Sequence, residues 1–205
     1  VREARREAAE PGRNQLWGHA ATFGAAWAAV EVTVGSFAHA IKLPFAGVVL
    51  AGIGAALLIA LRTIYPRPGV LLAAGIVCAG VKLISPAGAV LGPVVGILVE
   101  AAIAELVLFP LGARVFTAPL VGALACCFAV TQKVLTQWLL FGAPILDIYV
   151  GILQRAEAWM GLPRQGGLWV ALVFMAVVST LGSSLGVLGH RVGKKALLHL
   201  GGGPA

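Results

Sequence analysis

Apolar residues in this chain come in long blocks divided by short polar breaks. The blocks run over about residues 16–41, 45–61, 69–84, 87–109, 115–141 and 168–189. Apolar runs near or above 18 residues with few charges predict membrane helices. Tyr65-Pro66-Arg67-Pro68, Ser85-Pro86 and Pro110 supply the breaks, because proline cannot donate to a helix and restricts the residue before it. Residues 142–165 read differently: Asp147, Arg155, Glu157 and Trp159 interrupt the apolar positions, the pattern of an amphipathic, half-buried segment. The pattern predicts an all-α integral membrane protein with six transmembrane helices. Residues 1–15 form a polar N-terminal segment, 16–190 the membrane domain and 191–205 a basic tail. Ala38-His39-Ala40 imitates a signal-peptide cleavage site, but the first block is too long for one and contains Glu31.

Composition narrows this further. The 205 residues are 60% hydrophobic and only 11% charged, whereas a soluble domain carries about a quarter charged residues. A water-facing surface cannot be built from so few charges, so an ordinary soluble enzyme, a disordered chain and a disulfide scaffold are all excluded. The net charge of +7 is scattered at the ends of the blocks rather than gathered in a stripe, which argues against nucleic acid. It is a topology signal instead. With the N-terminus inside, Arg2, Arg5, Arg6, Arg13, Arg62, Arg67, Arg114, Arg191, Lys194 and Lys195 fall on the cytoplasmic side, ten in all. Lys42, Lys82, Lys133, Arg155 and Arg164, five in all, fall on the other side or in outer helix halves. Ten against five predicts both termini in the cytoplasm.

Charged groups deep in a bilayer cost from about 2.5 kcal/mol upward and point to function. In this orientation Glu31, His39 and Lys42 stand in the outer half of the first helix, Cys78 and Lys82 in the last turns of the third. Thr131-Gln132-Lys133 occupies the outer half of the fifth, and Asp147 follows in the next segment. Sharing one depth, Glu31, His39, Cys78, Lys82, Gln132, Lys133 and Asp147 are the candidate lining of a pocket open to the outside. Several have a plainer reading. Lys42 and Lys82 could snorkel to the interface, His39 could cap it, and Glu31 could form a structural pair with Lys82 or Lys133. Cys78, Cys126 and Cys127 could be small buried hydrophobes; their spacing matches no disulfide framework or zinc site. Glu105 is expected near the inner interface, and Glu100 deeper, paired within the bundle.

Small residues give a second signal. Ala21, Ala25 and Ala29 recur at spacing four, overlapped by Ala20, Gly24 and Ala28, and such faces admit a close helix partner. Gly182, Gly186, Gly189 and Gly193 repeat the theme in the last helix, where packing inside the bundle is expected. The sequence carries no GxxxxGK[ST] or HExxH motif and no recognisable nucleophile–base pair, so no ATP site or catalytic pair is in view.

The length, the six blocks, the Ala21/Ala25/Ala29 face and the stretch Ser85-Pro86-Ala87-Gly88-Ala89-Val90-Leu91-Gly92-Pro93-Val94-Val95-Gly96 together resemble the substrate-binding S components of energy-coupling factor transporters. The resemblance covers nearly the whole chain, although these proteins share fold more than sequence. It implies a non-enzymatic subunit of the bacterial inner membrane that binds a vitamin or related micronutrient near the outer face. Connections around Lys42-Leu43-Pro44, Ile84-Ser85-Pro86 and residues 142–165 would close the pocket. The alanine face would dock a transmembrane coupling subunit driven by two cytoplasmic ATPases, and the loaded protein would topple to expose its pocket inward. No cofactor is held permanently, and ATP is used by the partners. Cys78 near His39 admits cobalamin as a ligand, with the thiolate on cobalt, and no other metal site is expected. Two competing readings are a membrane enzyme acting on a lipid or prenyl substrate, with Glu31, His39, Glu100 or Glu105 as acid and base, and a non-transporting assembly subunit.

Overall fold

The apolar blocks fold into helices whose limits follow the predicted breaks. A computed structural model describes residues 2–41, 45–85, 91–161, 163 and 165–201, apart from the side chains of residues 2–13 and of His39. Lys42, Arg164 and the expected closing connections at 42–44 and 86 therefore lie outside the described residues. Among those described there are seven helices and no strand: α1 (Arg2–Ala40), α2 (Ala46–Ile64), α3 (Val70–Ile84), α4 (Leu91–Leu111), α5 (Thr117–Phe141), α6 (Pro144–Trp159) and α7 (Leu168–His199).

Five of the helices are long and apolar enough to cross a membrane: 14–38 within α1, and α2, α4, α5 and α7. Large apolar side chains such as Phe37, Phe109, Phe116, Leu139 and Val177 cover the outside, on a scale that soluble proteins avoid. The chain is a multi-pass helical membrane protein. α3, expected to be a sixth span, has 15 residues and extends about 22 Å, less than the roughly 30 Å of hydrocarbon.

Two helices outrun their predicted limits. α1 continues without a break from the polar segment into the apolar one, and its 39 residues reach about 58 Å. Its polar first turns therefore extend past the hydrocarbon instead of forming a separate segment. α7 does not end at Gly189 but continues to His199. The reason is packing. A Cβ on Gly189 would stand 2.4 Å from the Ala56 carbonyl oxygen, and one on Gly193 would stand 2.8 Å from Thr63 Cβ, so α2 holds the basic stretch of α7 in helical form.

The same contacts set the register of the bundle. α2 lies at the centre, touching α1, α3, α4, α5 and α7. α1 runs antiparallel to it, with Trp27 beside Gly54 and Gly35 beside Leu50. α1 and α3 are parallel, with Gly24 against Ala74 and Val77 and Glu31 beside Lys82. α3 and α4 are antiparallel through Gly75 and Ala101. The tightest seam joins α5 to α7: a Cβ on Gly122 would stand 2.0 Å from the Gly182 carbonyl oxygen, and one on Gly186 would stand 2.2 Å from that of Ala118. Small residues at spacing four let two backbones touch. Among the described residues α6 contacts α5 and α7 alone. It belongs to the end where α1, α3 and α5 finish and α2, α4 and α7 begin.

At the opposite end Glu105, expected at the interface, is buried and fully bonded. It pairs with Arg62 at 3.4 Å and accepts hydrogen bonds from the Gly69 and Leu71 amides at 2.9 and 3.1 Å. A carboxylate at the first turn of α3 meets the helix dipole and its free N–H groups. Arg62 also donates to the Leu108 and Arg67 carbonyl oxygens, which ties the Tyr65–Pro68 turn to α4. Glu157 does comparable work for α7. Buried on α6, it accepts from the Gln165 and Trp169 amides, each at 3.3 Å, while Gly167 turns into α7 with a φ of 89°, a conformation that glycine adopts without strain.

Candidate functional site

Where α1, α3 and α5 end, the bundle opens into a cavity of about 680 Å³, within the 300–1,000 Å³ usual for small-molecule sites. α1 contributes Glu31, Gly35 and Ala38, α2 contributes Ala46, Leu50 and Ala51, and α3 contributes Lys82. α4 presents Gly92, Gly96, Ile97 and Glu100, and α5 presents Ala125, Phe128, Ala129, Gln132, Lys133, Thr136 and Gln137. Most of the wall is apolar, with a few polar groups at fixed places.

The charged groups are arranged by depth. Glu31 and Lys82, both more than nine-tenths buried, face each other at 3.8 Å. The Lys82 ammonium also donates to the Glu31 carbonyl oxygen at 3.1 Å. Two charges taken out of water need such matching to hold their place. The helix spacing makes it possible: both residues stand near the end of parallel helices that Gly24 allows to lie close.

Glu100 lies deeper. Its carboxylate and the Trp27 indole fill the space beside Gly54, where an added Cβ would meet Glu100 Oε1 at 2.5 Å and Trp27 Nε1 at 2.7 Å. Neither of those atoms has a hydrogen-bond partner, although both are buried. An unmatched buried acceptor is costly, by about 1–3 kcal/mol. Glu100 Oε1 is thus a group that a donor on a bound molecule would satisfy.

Gln132 crosses the cavity to α4 and donates from Nε2 to the Gly92 carbonyl oxygen at 2.7 Å. Gly96 is what lets it pass, since a Cβ there would stand 2.8 Å from Gln132 Oε1. Lys133 stands exposed at the rim, and no ion pair to it exists among the described residues. Gln137, also in the wall, accepts a hydrogen bond from Tyr149 Oη, which fastens α6 beside the opening. Thr131, beside them in the sequence, instead donates to the Cys127 carbonyl oxygen of its own helix at 3.0 Å.

Four of the expected lining residues, Glu31, Lys82, Gln132 and Lys133, therefore meet in one cavity. Cys78 and Asp147 do not join them. Cys78 has no exposed surface and sits behind the wall in the α1–α3–α4 core. Asp147 is exposed in the first turn of α6. Position along the sequence could not show which way each helix face turns. The His39 side chain lies outside the described residues. Among the described residues no group of three or more His, Cys, Asp or Glu stands together as a metal site.

Glu100, Thr136 and Gln137 are wall residues that the sequence reading missed. A signal for them existed. Gly92, Gly96 and Glu100 recur at spacing four, as do Gln132 and Thr136, and Lys133 and Gln137, so each set shares a helix face. The alanine faces of α1 divide in the same way. Ala20, Gly24 and Ala28 are buried, whereas Ala21, Ala25 and Ala29 remain exposed on the outside of the bundle.

Comparison of the chain with known protein families, curated proteins and solved structures gives no match.

Proposed function

We propose that this protein is a solute-binding membrane subunit that captures a small polar ligand in the cavity between α1 and α5. The observation that carries this reading is the convergence of Glu31, Lys82, Glu100, Gln132 and Lys133 on one apolar-walled space. With Glu31 and Lys82 engaged to each other, Glu100 at depth favours a hydrogen-bond donor. Lys133 at the rim favours an acidic group. A ligand carrying both, with an apolar body against Leu50, Ile97 and Phe128, suits the wall.

The more specific form of the proposal is an S component of an energy-coupling factor transporter in the bacterial inner membrane. In that form α3 serves as a sixth span and both termini are cytoplasmic. The exposed Ala21/Ala25/Ala29 face docks a coupling subunit that works with two ATPases, and the ligand is a vitamin or related micronutrient. Cobalamin enters as the individual ligand that the resemblance suggests. With Cys78 sealed behind the wall, the thiolate route to its cobalt has no geometric support. Among the described residues the cavity wall pairs no nucleophile with a base, so the enzyme reading has no comparable support.

Native mass spectrometry of the purified protein tests the proposal. A co-purified small molecule, or binding of one member of a vitamin panel that includes cobalamin, is expected. Glu100→Gln and Lys133→Ala should weaken that binding by about tenfold each, the size of one lost charge-assisted hydrogen bond. No ligand in the purified protein and none from the panel would overturn it.

A further inference from the structure

A second recess lies at the far end of the bundle from the ligand cavity, where α5 begins and α7 passes it. Val115, Ala118, Val187, His190, Arg191 and Lys194 enclose about 240 Å³. Three of these six are nitrogen bases and none is acidic. The α7 members recur at spacings of three and four, so they share one face of that helix.

His190 is the deciding residue. It is 6% exposed, and neither Nδ1 nor Nε2 has a hydrogen-bond partner. A buried polar group without a partner calls for a physical reason. Helix rotation cannot hand this ring to water, because Gly189 and Gly193 on the same helix are locked against Ala56, Ala60 and Thr63 of α2. Arg191 and Lys194 stand exposed over the recess, and among the described residues neither forms an ion pair. The arrangement sets His190, Arg191 and Lys194 around one recess with no acidic residue in its wall.

Its surroundings are apolar. Val115, Phe116, Leu188 and Val192 are large exposed hydrophobics close by in the chain. The 32 residues of α7 extend about 48 Å, so its last turns rise out of the hydrocarbon into the headgroup layer. Basic recesses between membrane helices at that level suit the phosphate of an anionic lipid, whose acyl chains would lie along the exposed apolar residues.

We propose that this recess binds the phosphate group of an anionic phospholipid, with one His190 ring nitrogen donating from within and Arg191 and Lys194 closing over the outer oxygens. The site is independent of the ligand cavity.

Native mass spectrometry of the full chain in detergent, titrated with dioleoylphosphatidylglycerol, dioleoylphosphatidylcholine or inorganic phosphate, tests this. The wild type should retain one phosphatidylglycerol in preference to phosphatidylcholine. Retention should fall about fivefold for each basic residue removed in Arg191→Gln and Lys194→Gln, both exposed and safe for folding, and should fall also in His190→Leu. Lys195→Gln, one residue outside the recess, should leave it unchanged. Equal retention by the wild type and the Arg191→Gln/Lys194→Gln pair overturns the site. Displacement of the lipid by millimolar inorganic phosphate that itself binds overturns the lipid assignment in favour of a free phosphate ion.

Discussion

Lys82 reaches Glu31 twice, through the carboxylate and through the backbone carbonyl, in a place that water barely enters. Removing one partner strands the other charge. Lys82→Met should lower stability by about 3–5 kcal/mol, and adding Glu31→Gln should recover a good part of that loss, giving a double-mutant cycle with strong coupling. Thermal unfolding in detergent, followed by tryptophan fluorescence, reads both; additive effects would show that the pair does not act as one unit. Glu157→Ala on α6 should cost about 1 kcal/mol, the usual size of a lost helix cap. Faster hydrogen exchange confined to the Gln165 and Trp169 amides would mark it as a cap. At this scale the sequence was informative about Glu31, whose partner among two candidate lysines is Lys82. It put Asp147 and Cys78 in the cavity wall, where neither stands, because residue number gives position along a helix while azimuth depends on which neighbours pack where.

At the scale of elements, glycine does two opposite jobs in this bundle. On α5 and α7, Gly122 and Gly182 bring backbone against backbone. Gly122→Val should therefore force the helices apart, at a cost of about 3 kcal/mol or more, the upper end for overpacking. Gly80 in α3 meets nothing within 4 Å of an added Cβ. Gly80→Ala should stabilise the protein by about 0.5–1 kcal/mol, since glycine in a helix interior only adds unfolded-state freedom. Melting temperatures that moved together in the two variants would contradict the packing described. The apolar helices, the breaks and the internal role of the α7 glycines were legible as periodicity; the number of spans was not, since five of the seven described helices are long and apolar enough to cross. The true ends of α1 and α7 were not, because a polar stretch continues a helix whenever a neighbour or the headgroup layer supports it, and neither is visible in one segment's own pattern.

For the molecule as a whole, the ligand cavity and the His190 recess lie at opposite ends of the bundle. In a cysteine-free background, Lys133→Cys and Lys194→Cys should therefore react with a membrane-impermeant maleimide from opposite sides of sealed vesicles. Labelling of both from one side would overturn this arrangement. The charge count predicts a cytoplasmic Lys194, a direction the same experiment reads. Membrane residence was legible from hydropathy alone, since lipid-facing and core-facing apolar residues score alike. That same equivalence hides the cavity, whose walls are as apolar as the outside.

The seam between α5 and α7 also bears on how this protein can change over generations. Neither Gly122 nor Gly182 can gain a side chain while the other stays in contact, and no single substitution on one helix makes room on the other. Drift along the seam is therefore nearly closed, whereas the cavity wall can exchange Leu50, Ile97 or Phe128 and leave that joint intact. In a lineage of descendants, the most constant positions would mark the joint that holds the bundle together, and the cavity wall would be found among those that vary.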